Sequence, residues 1–561
     1  MQISPFRLIP ALLASLLAVS ALAQVPEIKE HRFPNGFQVL LVERPGSGAF
    51  HARLVVRGGR ADTGSLPAVT AEILARTLFR HMLPEEMGVD GGFEALLKEE
   101  EGLFESLRLA RIRRARLQGQ DASLEEEGLA QLHARRLSEL KAKLEACESR
   151  DPLFVLGATR LKISSGADEL SMSLDLPSRA FAAWCHVEQQ RLRALGLFRF
   201  PLERERLIQE LGKGGDKGEG ALSILLGTAF SGHPYAQTYD LQRGSLEGLT
   251  WSELRTFARS LVSPERLTLV LVGDLDMTSV LPLAKATFGT LLMAPEGRGR
   301  REDRNMELPE ALGYRRLQAS TVGDPLVFMA WRVPPASHPD SAALRLLAQV
   351  LGGSKGARLT RRLQEERGIA RSLTVRCGVP GGRDPSLFLI EARPAEGHSL
   401  VELEDVIHGE ILRIHRELLP EEDLRRAQRG LETQWLMAQE DAASLAAALG
   451  RTVAQSGDWQ QAFRSRGFGR DITPEEVQAV VRRYLVSGQE IRALLEADPL
   501  QAPQDPLEER LGKVLLEILQ RKLEDPAQVE AVVRETLRQL RMLSIPERAQ
   551  TLKLLEAQTG S

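Results

Sequence analysis

The feature that most constrains this chain is an internal repeat. "TWSELRTFARSLVSPERLTLVLVGDLD" (250–276) and "TPEEVQAVVRRYLVSGQEIRALLEAD" (473–498) share one layout, with an offset of 223 residues between positions 250 and 473. Each opens on a Thr suited to cap a helix, with Glu253 or Glu476 at the third helical position. Each then runs through an amphipathic helix, a short turn and an apolar strand that ends in Asp. A repeat of this length predicts two related domains rather than a solenoid.

The rest of the chain falls into place around that pair. "GFQVLLVE" (36–43) and "FHARLVVRGG" (50–59) read as strands that open the first half, and "PLVFMAWRV" (325–333) plays the same part in the second. "SLPAVTAEILARTLFRHML" (65–83), after the turn at Gly58-Gly59, and "SAALRLLAQVLGG" (341–353) read as helices. The fold class expected is therefore α+β. Domains are expected at 24–293 and 311–499, joined by a polar, Gly- and Arg-rich linker at 294–310. Two segments break the repeat. Residues 90–150 are charged and amphipathic, with Leu129, Leu132, Leu137, Leu140 and Leu144 near helical spacing, and predict an inserted helical hairpin of coiled-coil type. This hairpin reads either as a spacer with a solvated outer face or as a docking arm. Residues 500–561 carry successive helix starts at Asp505-Pro506, Asp525-Pro526 and Ser544-Ile545-Pro546, which predicts a tail of three short helices packed on the second half.

Residues 1–23 have the form of an export signal: Arg7, an apolar run from Leu8 to Leu22, and the small-x-small ending Ala21-Leu22-Ala23. The expected location is periplasmic or secreted, with no transmembrane anchor after cleavage. A net charge of −3 gives no reason to expect a nucleic-acid partner. Three scattered cysteines make neither a disulfide framework nor a zinc knuckle.

Read in order, "FPNGFQVLLVE", "GATRLKISSGADELSMSLDLP" (157–177), "LERERLIQEL" (202–211), "GTAFSGHPYAQTYDLQRGSLEGLTWSEL" (227–254), "VLVGDLD" (270–276) and "GARLTRRLQEERGIARSL" (356–373) resemble the pitrilysin/insulinase (M16) family of zinc peptidases. The resemblance implies two homologous halves that face each other as a clamshell around a chamber. It also implies that peptides or unfolded polypeptides bind by adding a strand to a sheet edge.

The family's chemistry needs His-x-x-Glu-His on one helix, where two histidines four apart share a zinc ion and the Glu activates its water. That motif occurs nowhere in this chain. Three registers can be laid on the helix. The one that best fits "PAVTAEIL" puts Ala68, Ala71 and Glu72 at the His, Glu and His positions. Ungapped counting from Gly59 gives Glu72, Ala75 and Arg76, and matching "HML" gives Thr77, Arg80 and His81. The third-ligand helix is better kept: Glu203 and Glu210, seven apart, match the family's supporting acid and its zinc Glu. The resemblance places Gln364 and Arg371 where the second half would supply an Arg and a Tyr to hold the substrate carbonyl and the oxyanion. Elsewhere, His408 and His415 lie seven apart on a helix, roughly 10 Å along its axis, too far to share one metal. His233, beside Pro234, reads as a capping or packing residue.

These residues favour an exported, non-catalytic member that binds peptides or regulates. Its expected partner is an active M16 peptidase subunit or a second copy of itself. No cofactor is expected. Zinc belongs to the alternative reading, an active metalloendopeptidase with atypical ligands, and a second alternative is an envelope scaffolding or binding protein.

Overall fold

The computed structural model describes residues 26–79, 92–117, 120–148, 152–195, 197–213, 219–237, 246, 248–292, 313–321, 324–464, 471–497, 506–520, 529, 532–533, 536–537, 540 and 550–555. Within these, the chain is a mixed α+β protein built on two sheets. The first contains β1 (Ile28–Arg32), β2 (Gln38–Glu43), β3 (Ala49–Arg57), β4 (Thr159–Ser165), β5 (Glu169–Pro177) and β6 (Leu267–Gly273), in the order β1-β2-β6-β3-β5-β4. The second contains β7 (Arg315–Thr321), β8 (Leu326–Val333), β9 (Ala370–Val379), β10 (Ser386–Pro394) and β11 (Ile491–Ala497), in the order β7-β11-β8-β10-β9. Leaving β1 aside, the two orders are the same, and each sheet has one parallel pair, β2 with β6 and β7 with β11.

The helices, in chain order, begin with α1 (Val69–Phe79), α2 (Gly92–Leu117), α3 (Gln120–Glu148), α4 (Phe181–Ala194), α5 (Phe200–Lys213), α6 (Glu219–Ala229), α7 (Trp251–Leu261) and α8 (Met277–Thr287). They continue with α9 (Ser341–Gly352), α10 (Leu400–Arg416), α11 (Glu421–Glu440), α12 (Ala442–Ser456), α13 (Pro474–Tyr484) and α14 (Pro506–Gln520). The sequence repeat is the α7–β6 and α13–β11 pair. Both helices start with a capping box, Thr250 with Glu253 and Thr473 with Glu476, in which the Thr hydroxyl accepts the third amide and the Glu accepts the Thr amide.

Strand alternation decides what each sheet face meets. Phe50, Ala52, Leu54 and Val56 of β3 join the core formed with α1, α4, α7 and α8. The intervening Arg53 and Val55 look the other way, onto Gly450 of α12. Leu445, Leu449 and Val453 of α12 thus cover Leu40, Val42 and Val270 of the first sheet. Reciprocally, Leu222, Leu225 and Leu226 of α6 lie against Phe328, Leu389 and Ile491 of the second sheet. A helix from each half of the chain seals the far face of the other half's sheet. Burial on both faces explains why β6, Leu-Thr-Leu-Val-Leu-Val-Gly, is apolar at nearly every position rather than alternating.

The helices α2 and α3 pack on each other over the segment read as a hairpin. Their outer part is laced by exposed pairs such as Arg113–Glu125 and Arg114–Glu126. Their base is packed into the protein: Leu97, Leu140 and Leu144 belong to the first core. Glu100 is buried there too, accepting from Arg204 of α5 at 2.6 Å and lying 2.8 Å from His133 Nε2. In the tail, the helix after Asp505-Pro506 is α14; the other two expected starts lie outside the described residues. Leu515 of α14 packs with Val529 and Val533 in a cluster made of tail residues.

Candidate functional site

Helix α1 follows Gly58-Gly59, and the reason for Gly59 is a close approach. A Cβ there would lie 2.3 Å from the Gly166 carbonyl oxygen and 2.8 Å from that of Ala167. The β4–β5 turn therefore lies directly on the chain just before α1. Ala71, Ile73, Leu74, Ala75 and Leu78 of α1 are buried in the first core, and Ala68, just before the helix, is buried as well. Of the register that best fits the sequence pattern, Ala68, Ala71 and Glu72, the cavity lining contains Glu72. Arg80 and His81 of the third register lie outside the described residues. The face of α1 opposite α5 and β4 carries Glu72, Ala75 and Arg76, the positions given by ungapped counting.

These residues line a cavity of about 280 Å³ together with Leu161, Ile163, Ser164 and Ser165 of β4 and Arg206 and Glu210 of α5. Its centre is occupied by charge. Arg76 donates from Nε to Glu72 at 3.0 Å and from Nη1 to Glu210 at 2.8 Å. Arg60 donates to the other oxygen of Glu72 at 3.1 Å, and Arg206 to the other oxygen of Glu210 at 3.0 Å. The chain of charges runs Arg60, Glu72, Arg76, Glu210, Arg206, with every carboxylate oxygen taken by one guanidinium. Partial burial pulls Arg76 down, but its bonds to Glu210 and Glu72 outweigh that and leave it above its ordinary value. Hydrogen bonding from Arg76 holds Glu210 below the usual carboxylate range.

Zinc needs three or four N, O or S donors converging on a point. Among the described residues, Glu72 and Glu210 are the only two acidic lining residues, no histidine lines the cavity, and a guanidinium bridges the carboxylates. This donor set does not fit a divalent cation. Among the described residues, no group of three His, Cys, Asp or Glu side chains is placed to hold one.

The remaining expected residues are scattered. Glu203, two turns before Glu210, is buried with Arg199 3.9 Å away, rather than open to the cavity. Gln364 and Arg371 are neighbours, with Gln364 Nε2 donating to the Arg371 carbonyl at 3.3 Å. Arg371 also pairs with Asp324, and neither residue lines the cavity. His415 lies 2.8 Å from the Leu485 carbonyl, and His408 lies 3.4 Å from Arg492. His233 Nδ1 accepts from the Tyr235 amide at 3.1 Å, a local cap as expected.

Sequence reading missed two features. The role of Arg76 was latent in the i,i+4 spacings Glu72–Arg76 and Arg206–Glu210, but their convergence needed the packing of α1 on α5. The second is a buried clasp between the two sheets. Asp168, in the β4–β5 turn, accepts from Tyr235 Oη at 2.8 Å, the Gly382 amide at 2.8 Å and the Arg383 amide at 3.1 Å. Arg383 reaches on to Asp62 at 2.8 Å, tying the β9–β10 loop to the first half.

Comparison with known proteins places this architecture. Residues 248–431 match the family described as peptidase M16 inactive domain. An uncharacterized zinc protease of Mycobacterium leprae is 24% identical over 293 residues, covering 51% of this chain and 63% of that protein. The match thus extends over less than two thirds of that relative's length. Among solved structures, the peptidase M16 inactive domain of Pseudomonas fluorescens superposes with a TM-score of 0.60 at 17% identity, covering 85% of this chain and 100% of that one. A chain of complex III from Candida albicans superposes with a TM-score of 0.60 at 11% identity, covering 84% and 96%. The family model over residues 248–431 and the shared fold agree with the order of sequence segments noted above: that stretch resembles the M16 inactive domain, and the chain has an M16-like fold.

Proposed function

We propose that this protein is a non-catalytic M16 subunit. It holds peptides or unfolded polypeptide in an extended form and works beside an active M16 zinc peptidase subunit or a second copy of itself. Its two sheet units act as the halves of a clamshell, and its leader directs it to the periplasm or the exterior. The single observation that carries this reading is Arg76 clamped between Glu72 and Glu210. A fixed guanidinium bridges the two carboxylates, yet it cannot ionise a water. The match to an M16 inactive domain and the likeness to a chain of a multi-subunit complex support it.

The test rebuilds the site. The triple variant Glu72→His, Ala75→Glu, Arg76→His places His-x-x-Glu-His opposite Glu210. The purified wild type is expected to carry no stoichiometric zinc and to cut no peptide, while the triple variant binds about one zinc per chain. Wild-type proteolysis that is lost with a chelator and restored by Zn²⁺ would refute the proposal.

A further inference from the structure

The cavity between α1, α5 and β4 is lined by two guanidiniums, Arg76 and Arg206, and two carboxylates, Glu72 and Glu210. The two guanidiniums keep donors that the carboxylates do not use. Arg206 is 57% exposed and uses only Nε, toward Glu210, and Arg76 uses Nε and Nη1. Nη2 of Arg76 and both Nη groups of Arg206 make no hydrogen bond among the described residues, which leaves donor forks of the kind that grip a carboxylate. On the β4 side, Ser165 Oγ is buried without a hydrogen-bond partner among the described residues, although Ser165 lines the cavity. A buried hydroxyl in that condition costs free energy unless a ligand uses it. Leu161 and Ile163 supply an apolar wall. Strand β4 pairs only with β5 among the described residues, so its outer edge is open to an added strand.

We propose that this cavity binds a carboxylate of an extended peptide, gripped by Arg206, Arg76 and Ser165 while the peptide main chain runs along β4. This rests on the peptide-holding reading above. The carboxylate is either the peptide's C-terminus or an Asp or Glu side chain.

The experiment uses the full-length chain and three fluorescein-labelled peptides of one neutral sequence. The first has a free C-terminal carboxylate, the second a C-terminal amide, and the third an amide with one central Glu. Binding is followed by fluorescence anisotropy. One carboxylate-bearing form is expected to bind roughly tenfold tighter than the neutral amide, as a partly exposed charge-assisted contact would give. Which form gains identifies the source. Arg206→Gln and Ser165→Ala, checked by thermal melting for an intact fold, are each expected to shrink the advantage to about twofold or less. Raised salt should shrink it too. Equal binding of all three peptides overturns this proposal but leaves peptide holding intact. No binding by any peptide defeats the peptide-holding reading and this one together.

Discussion

Asp168→Ala should be the most damaging single truncation away from the apolar cores. The side chain is 4% exposed, and three donors converge on it: the Tyr235 hydroxyl, itself fully buried, and the Gly382 and Arg383 amides. Alanine leaves all three without that acceptor, and each stranded buried donor costs about 1–3 kcal/mol. There is an offset. Burial raises the Asp168 carboxyl above its ordinary range, opposed by Arg383, the Tyr235 hydroxyl and the two amides, so the wild type already bears a desolvation cost. The net loss expected is about 3–5 kcal/mol, the range for removing one partner from a buried charged network. Asp168→Asn keeps an acceptor oxygen and sheds the charge, so it should lose only about 1–2 kcal/mol. Denaturant midpoints measure the loss, and amide exchange at Gly382 and Arg383 locates it. In the Ala variant, exchange there should speed up well beyond that of β6. If both variants stay within about 0.5 kcal/mol of wild type and these two amides keep their protection, the clasp does not hold the β9–β10 loop against the first half.

Other predictions address separate elements. His51 lies beneath α12, 2.6 Å from Asp175, with Arg160 and Arg53 nearby, and burial pushes its ring below the usual histidine range against the pull of Asp175. The unfolded chain therefore binds the proton first. Stability should fall as pH drops below about 6.5 toward the lower native value, and His51→Gln should flatten that slope in denaturant titrations between pH 7.5 and roughly 5. Gly59→Ala should cost about 1–3 kcal/mol, because its Cβ meets backbone oxygens that cannot move independently of the β4–β5 turn. A melting curve matching wild type would contradict this. Thr473→Ala removes the α13 cap and should cost about 1 kcal/mol in chemical denaturation, while a substitution at the half-exposed Ser456 serves as a comparison.

Much of the fold was legible because it depends on local rules. The Thr-x-x-Glu boxes at 250 and 473 mark helix starts through hydrogen bonds that span three residues. The strands after them show as apolar runs, and their recurrence revealed the doubled plan. The loss of His-x-x-Glu-His was equally plain, since a motif within five residues can be read directly. Packing decides what a local pattern does not show. Of the positions that "PAVTAEIL" offers, Glu72 lines the cavity beside α5, while Ala68 and Ala71 are buried. Likewise, periodicity identified α2 and α3, but not that Leu140 and Leu144 at their base are core residues.

The sequence by itself determined the elements, their doubling and the absence of a zinc-binding motif, because each is written within a few consecutive residues. Only the tertiary structure decided what lines the cavity beside α1. Glu72 and Glu210 lie 138 positions apart in the chain, so no local pattern could show that Arg76 bonds both. The crossing of α1 over α5 brings the two carboxylates within reach of a single guanidinium. In the same way, pairing Asp168 with a loop 214 residues away joins the two sheets by a contact that no periodicity encodes.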